Sequence, residues 1–226
     1  HYKKIIECFY YACSYAKVDY SNFMNITART ALKLIPDPLK THPVFLCVDD
    51  TMVSKSGKKF ENVSKLFNHA AHNGSNYLNG HCFVSIMLCV PVLDHDKISY
   101  LSVPLGYGYR MWQKKESKLE LAASMIRQVM PEFLSKEHVI ILCDSWYTKK
   151  NLVSIIDEYP NLDLIGNARI DSVMYDLAPA RTGHRGCPAK HGKRLSVETE
   201  FAFSNEKTGD YYTGVRRVLA KIFGNR

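Results

Sequence analysis

The chain has 226 residues, of which 46% are hydrophobic, and this is enough for one substantial core or two small ones. Its 30 Lys and Arg residues outnumber its 22 Asp and Glu residues, and the formal net charge of +8 favours an anionic partner such as nucleic acid. The sequence contains neither an apolar span long enough for a membrane helix nor a signal-peptide pattern, so we do not expect membrane insertion.

The first 40 residues are predicted to form an N-terminal helical segment. Apolar residues recur at helical spacing, as at Ile5, Ile6 and Phe9, until the sequence PDP at 36–38 ends the pattern. We therefore divide the chain into this segment, residues 1–40, and a core domain, residues 41–226.

A buried strand is predicted directly after that segment. The apolar run VFLCV is short, and it ends in two adjacent aspartates, Asp49 and Asp50. Adjacent carboxylates repel each other and are costly to bury without a cation, so this strand end is a candidate metal site. The polar segment that follows, residues 51–79, is predicted to contain one short helix around residues 63–71.

The next two strands are predicted to form an antiparallel meander with the first. HCFVSIMLCVPVL, residues 81–93, is apolar on both faces, as a central strand should be. After a turn at 94–97, ISYLSVPLGYGYR returns as a third strand. Pro104 inside this run predicts a strand at the edge of the sheet, because proline lacks the N–H group that a central strand must donate.

The clearest helix is predicted at residues 117–134. Ser117 and Glu120 form a capping-box pattern at its start. Leu121 and Met125 then recur on one face, which is typical of a helix that packs against a sheet.

Two further strands complete the predicted sheet. HVIILCDSWYT, residues 138–148, contains a buried strand that ends at Asp144, and after a short helix LDLIGNARI, residues 162–170, forms the fifth strand. The predicted fold class is therefore α/β, with a mixed five-stranded sheet flanked by helices. A basic, polar insertion at 178–194 follows the fifth strand.

The element order β-β-β-α-β-α-β constrains where the strand-end aspartates lie. A right-handed crossover through the helix at 117–134 would set the fourth strand parallel to the first. If these strands are neighbours, Asp49 and Asp144 lie side by side at the same edge of the sheet. Carboxylate oxygens with open coordination positions favour Mg²⁺ or Mn²⁺.

Three motifs resemble those of DDE transposases of bacterial insertion sequences. They are VDDT after the first strand, LCDSWYT after the helix, and TGHRGCPAKHGKR after the fifth strand. The resemblance covers roughly residues 43–200 and depends on the order and spacing of all three motifs together.

The resemblance implies an RNase H-like fold and assigns catalytic, metal-binding roles to Asp49 and Asp144. The third carboxylate of the family is a glutamate in a helical motif that we do not find, and Glu198, Glu200 and Glu206 lie in the wrong context. Because the chain begins at His1 and stops directly after an apolar run, we expect an incomplete catalytic core that is inactive by itself.

The implied function is a DNA transposase that hydrolyses phosphodiester bonds and transfers strands at transposon ends, with two Mg²⁺ or Mn²⁺ ions per active site. The implied partner is double-stranded DNA, both transposon ends and target, and a homodimer in a synaptic complex is the assembly to test. The seven cysteines occur singly, which is typical of free thiols in a reducing compartment, so we expect a bacterial cytoplasmic, nucleoid-associated protein.

Basic side chains near the predicted site and in the insertion are candidates for contact with the DNA backbone. They are Lys55, Lys58, Lys59, Arg110, Lys149, Lys150, Arg169, Arg181, Arg185, Lys193 and Arg194.

Some residues allow a second interpretation. Asp50 could ligate metal, although a supporting role is favoured because its side chain should point to the opposite face from Asp49. Trp146 either packs against the following helix or stacks on a DNA base. His184, Cys187 and His191 could bind zinc, but no fourth ligand is evident.

Two other functions compete with an active transposase. A phosphotransferase of the haloacid dehalogenase type also begins with a strand-end aspartate, but it needs D-x-D-x-T, and here the second aspartate comes one residue early. A degenerate or domesticated transposase that binds DNA without cleaving it is the alternative that the missing third carboxylate leaves open.

Overall fold

The computed structural model describes most of the chain. The described residues are 2–15, 19–57, 59–60, 63–67, 76–109, 116–134, 136, 138–168, 171–180, 183, 187–196, 200, 207–218 and 220–222. The α-helices are α1 (Tyr2–Tyr15), α2 (Tyr20–Leu32), α3 (Lys118–Val129) and α4 (Lys150–Val153). The strands are β1 (Val44–Ser54), β2 (Ser64–Phe67), β3 (Tyr77–Asp94), β4 (Lys97–Tyr109), β5 (Val139–Cys143), β6 (Leu162–Gly166), β7 (Met174–Asp176), β8 (Arg194–Leu195), β9 (Lys207–Thr208), β10 (Tyr211–Tyr212) and β11 (Ala220–Ile222).

One mixed sheet organises the fold. Its strand order is β2-β3-β1-β5-β6, and β4 also pairs with β3. β1 is antiparallel to β3 but parallel to β5, and β6 continues the parallel half. This confirms the predicted α/β architecture with an antiparallel meander and a helical crossover to a parallel fourth strand, and β6 adds a fifth strand in the same direction.

The sheet has six strands, one more than predicted. The short helix predicted around residues 63–71 is wrong where the structure describes it, because Ser64–Phe67 forms β2 and pairs with the first part of β3. Leu66 is buried whereas Lys65 is exposed, which is the two-residue period of a strand. The rest of the predicted helix lies outside the described residues.

β4 is the edge strand that Pro104 predicts. Its described pairing is with β3 alone, and the ladder shifts where Ile86 pairs with Gly106 and Met87 pairs with Pro104. Leu105 is the extra residue of this bulge, and its side chain is buried in the core. The bulge lets the edge strand carry a proline while it still contributes to the core.

The main core lies between the sheet and α2 and α3. Leu46 of β1, Ile126 of α3 and Phe133 in the turn after α3 have less than 2% of their surface exposed. Each such side chain contributes roughly 1.5–3 kcal/mol through removal of apolar surface from water. Arg29 of α2 also donates two hydrogen bonds to the carboxylate of Glu132, both at 2.9 Å, and this pair ties the helix to the end of α3.

The N-terminal segment is helical, as predicted. α2 packs on the same core as the sheet, since Met24, Ala28 and Ala31 are all buried there. The boundary at residue 40 stays a prediction, whereas the contact of α2 with the core is a feature that the sequence did not indicate.

A smaller sheet follows β6. β7 pairs with β8 and β11 in antiparallel fashion, and β9 and β10 form a separate hairpin. β7 and β8 bracket the predicted basic insertion, so the described parts of that insertion end in a paired strand.

The described helices include none with the length and apolar character that a membrane span requires. Free thiols are found at Cys8, Cys47, Cys82, Cys89, Cys143 and Cys187. Burial next to Cys89 raises the pKa of Cys47 to about 11, so this thiol stays protonated at neutral pH.

Candidate active site

Parallel pairing of β1 with β5 brings the two predicted site aspartates to neighbouring positions. The register runs from Val44 opposite Val139 to Val48 opposite Cys143. Asp49 follows Val48 and Asp144 follows Cys143, and both aspartates are exposed. Adjacent strands of a sheet lie about 4.8 Å apart. The prediction that these strands are parallel neighbours is therefore confirmed.

Asp49 and Asp50 occupy opposite faces of β1. Val44, Leu46 and Val48 are buried at every second position, and Asp50 continues that face. Asp49 lies on the other face, where the strand is exposed at this point. The alternation of a strand thus separates two consecutive carboxylates, and it places Asp50 beneath the helical layer.

Asp50 is held by an ion pair and two further contacts. Its Oδ2 lies 2.7 Å from Lys118 Nζ, and the two side chains are only 12% and 14% exposed. The Tyr147 hydroxyl donates to Oδ1 at 3.1 Å, and the Cys82 thiol donates to Oδ2 at 3.5 Å. Asp50 is therefore neutralised by a lysine of the chain itself.

Lys118 and Tyr147 are site residues that sequence reasoning missed. Lys118 is the first residue of α3, directly after the N-cap Ser117, and Tyr147 is fully buried. Burial, followed by the negative charge of Asp50, raises the pKa of Tyr147 well above its ordinary value. The hydroxyl therefore stays protonated and remains a hydrogen-bond donor at physiological pH.

The turn after β5 orients Asp144. The Asp144 Oδ1 atom accepts hydrogen bonds from the backbone N–H groups of Trp146 at 3.0 Å and Tyr147 at 3.3 Å. Thr148 closes the turn, because its hydroxyl lies 3.1 Å from the Ser145 carbonyl and 2.7 Å from the Asn167 carbonyl. The second oxygen of Asp144 takes no part in these contacts.

Comparison of the sequence with known protein families identifies the family of this chain. A family model described as DDE superfamily endonuclease matches residues 13–213. The chain belongs to this family. No curated protein matches the sequence.

One solved structure with a match is the cryo-EM structure of the piggyBac transposase synaptic complex with hairpin DNA. The match has a TM-score of 0.36 and 15% sequence identity, and it covers 56% of this chain and 23% of that one. The chain therefore spans less than a quarter of that transposase.

The donor atoms at the strand ends fit a hard divalent cation. Asp49 and Asp144 offer carboxylate oxygens on exposed side chains, and Mg²⁺ and Mn²⁺ prefer oxygen ligands. Among the described residues, no group of three or more His, Cys, Asp or Glu side chains is arranged to hold a metal ion. The assignment of Asp49 and Asp144 as metal ligands therefore stays a prediction.

The exposed aromatic ring of Trp146 lies beside this site. It is 42% exposed, and the Nζ atoms of Lys149 and Lys118 lie 3.7 Å and 5.3 Å from its ring centroid. Cation–π contacts of this kind hold the two ammonium groups at the ring of Trp146, two residues after Asp144. Trp146 is not packed away under the following helix, so stacking on a base stays a prediction.

The structure describes some of the predicted DNA contacts near the aspartates. Lys55 is half-buried with its Nζ 5.5 Å from the Phe60 ring centroid, whereas Lys59 and Lys150 are exposed. The predicted contacts that lie outside the described residues are Lys58, Arg110, Arg169, Arg181 and Arg185.

Two of the DNA contacts predicted in the basic insertion are described. The Lys193 side chain is 81% exposed and lies 3.9 Å from Glu200, and Arg194 is exposed on β8. Glu200 also pairs with Arg216, so it is part of a surface ion-pair cluster. His191 stacks on the Tyr175 ring with centroids 4.0 Å apart, and this contact accounts for its position without zinc.

Proposed function

We propose that this DDE endonuclease is the catalytic core of a DNA transposase, which hydrolyses phosphodiester bonds at transposon ends and transfers the strands to target DNA. The observation that carries the proposal is the parallel register of β1 and β5, which brings Asp49 and Asp144 to the same edge of the sheet. Membership of the DDE endonuclease family supports the same chemistry.

In this proposal, Asp49 and Asp144 hold two Mg²⁺ or Mn²⁺ ions. When bound, such ions supply an activated water or 3′-hydroxyl and stabilise the leaving oxygen. The protein orients both carboxylates, since each accepts a hydrogen bond from a backbone N–H group. Asp50 is not a metal ligand in this proposal, because its carboxylate is already paired with the Lys118 ammonium group.

The proposed substrate is double-stranded DNA, bound through its phosphates. Lys149 and Lys150 lie at the start of α4, shortly after Asp144, Lys59 follows β1, and Lys193 and Arg194 belong to the insertion. Lysine and arginine contacts of this type bind DNA without regard to sequence. A homodimer in the synaptic complex and a bacterial cytoplasmic, nucleoid-associated location complete the proposal.

A nicking assay tests the catalytic part. In the protein encoded by the complete gene, Asp49→Asn and Asp144→Asn should each abolish cleavage of supercoiled DNA in Mg²⁺. An amide keeps the shape of the side chain but loses the charge that holds a strongly hydrated cation. DNA binding, measured on the same preparations, should be largely retained.

The same assay decides between cleavage and binding alone. A protein that binds DNA but nicks none in Mg²⁺ or Mn²⁺ would be the non-cleaving alternative, a degenerate or domesticated transposase. Full activity in both aspartate variants would show that this strand end is not the metal site.

A further inference from the structure

Tyr147 connects the two candidate metal ligands through a series of hydrogen bonds. Its backbone N–H donates to Asp144 Oδ1 at 3.3 Å, and its hydroxyl donates to Asp50 Oδ1 at 3.1 Å. The backbone N–H of Asp50 donates in turn to Asp49 Oδ1 at 2.8 Å. Tyr147 therefore links β1 to the turn after β5 by hydrogen bonds.

The surroundings make this connection stiff. Tyr147 has no exposed surface, so its ring cannot swing away from Asp50 without opening the core. Lys118 of α3 contacts the other oxygen of Asp50, and this second contact fixes the rotation of the carboxylate. The three elements β1, α3 and the turn after β5 thus meet at one almost buried group.

We infer that Tyr147 is a positioning residue for the metal site, which sets the spacing of the Asp49 and Asp144 carboxylates through its hydroxyl bond to Asp50. This inference rests on the proposed function, because it assumes that those two aspartates hold the metal. Groups that hydrogen-bond to metal ligands, or orient them, typically change metal affinity or activity about 10–100-fold when they are mutated.

Tyr147→Phe tests the inference, because it removes one oxygen atom and keeps the ring that fills the core. We expect the Mn²⁺ concentration for half-maximal nicking to rise about tenfold in the protein encoded by the complete gene. Bound Mn²⁺, counted from the loss of the free-ion EPR signal, should show the same weakening. Saturating Mn²⁺ should restore most of the nicking rate, since excess metal compensates for a site that is poorly spaced.

Tyr159→Phe is the matched control, because Tyr159 is a half-buried tyrosine that packs against the same core. It should leave Mn²⁺ affinity and nicking unchanged. If Tyr147→Phe has the Mn²⁺ affinity of the unmodified protein, or if it only lowers the urea midpoint, the positioning role is wrong. Such a result leaves the proposed function intact, provided that Asp144→Asn is inactive.

If the unmodified protein neither binds Mn²⁺ nor nicks DNA, the proposed function itself fails. In that case Asp144→Asn and the unmodified protein would be indistinguishable in both measurements. The two failures are thus separated by Asp144→Asn.

Discussion

At the scale of single residues, the structure assigns different tasks to two adjacent aspartates. Asp49 is exposed and shares its position at the sheet edge with Asp144, whereas Asp50 is paired with Lys118 beneath the helical layer. The first carboxylate is available to a cation from solvent, and the second already has a cation from the chain.

This difference predicts opposite effects on stability and catalysis. Asp50→Asn should destabilise the fold by about 1–3 kcal/mol, because it leaves the Lys118 ammonium almost buried without its counter-charge. Asp49→Asn should leave stability nearly unchanged, since this side chain is exposed and an amide oxygen can accept the same hydrogen bond from the Asp50 backbone N–H. Urea denaturation of each variant measures these differences.

A double variant isolates the ion pair. Asp50→Asn combined with Lys118→Met removes both partners, so it should recover part of the stability that Asp50→Asn loses. Asp50→Asn should lose less nicking activity than Asp49→Asn. If Asp50→Asn is inactive at every Mn²⁺ concentration and Asp49→Asn is active, the metal ligand is Asp50 and the assignment is off by one residue.

At the scale of elements, the turn after β5 depends on close contact with β6. Gly166 of β6 pairs with Cys143, and a Cβ atom at this glycine would lie 2.4 Å from Thr148 Cγ2 and 3.0 Å from Cys143 Sγ. Thr148 in turn closes the loop that orients Asp144. The space beside Gly166 therefore determines how tightly the turn packs on the sheet.

Gly166→Ala should accordingly displace the turn. We expect a loss of about 1–3 kcal/mol in stability, as for other overpacked sites, together with slower nicking because Asp144 moves with the turn. Thermal or urea unfolding measures the first effect and the nicking assay the second.

Thr148→Ser in the same chain offers a rescue. Serine keeps the hydroxyl that bonds the Ser145 and Asn167 carbonyls but lacks the methyl group that an alanine at 166 would strike. The double variant should regain most of the lost stability. If it does not, the contact with Thr148 is not what makes the glycine necessary.

At the scale of the whole molecule, the formal net charge of +8 suits a polyanion such as DNA. Lys149 and Lys150 follow the end of β5, and Lys193 and Arg194 lie later in the chain, in the insertion. A DNA duplex bound by these side chains would present its phosphate backbone to Asp49 and Asp144, and each phosphate contact would release counterions.

Salt dependence measures these contacts. Replacing Arg185, Lys193 and Arg194 with alanine should flatten the slope of log affinity against log salt by roughly 2–3 units, since each lost phosphate contact accounts for about 0.9. Fluorescence anisotropy with a labelled duplex at several salt concentrations gives the slope.

A charge-matched control separates contact from net charge. Lys33, Lys40 and Lys97 are exposed and lie towards the end of the sheet where β1 begins, about 17 Å or more along the strands from Asp49. Their triple alanine variant loses the same formal charge but should keep the slope. Equal slopes in both triple variants would mean that the insertion does not contact DNA.

Much of the fold follows from local sequence patterns. The buried alternation of β1, the capping box at Ser117 and Glu120, and the edge position that Pro104 requires are all present in the structure. These features depend on residues a few positions apart, so the sequence contains the information needed to predict them. The order of the elements then sufficed to place β1 beside β5 in parallel.

Tertiary structure decided the rest. The four residues of β2 form a strand because they pair with the first part of β3. Four residues are too few for a sequence pattern to predict this strand. The Lys118–Asp50 pair joins residues 68 positions apart, and the Tyr147 hydroxyl reaches Asp50 across 97. Such contacts depend on helix packing and strand register, which many distant residues set together. The sequence by itself therefore determined where the aspartates lie. Only the tertiary structure determined which side chains contact them.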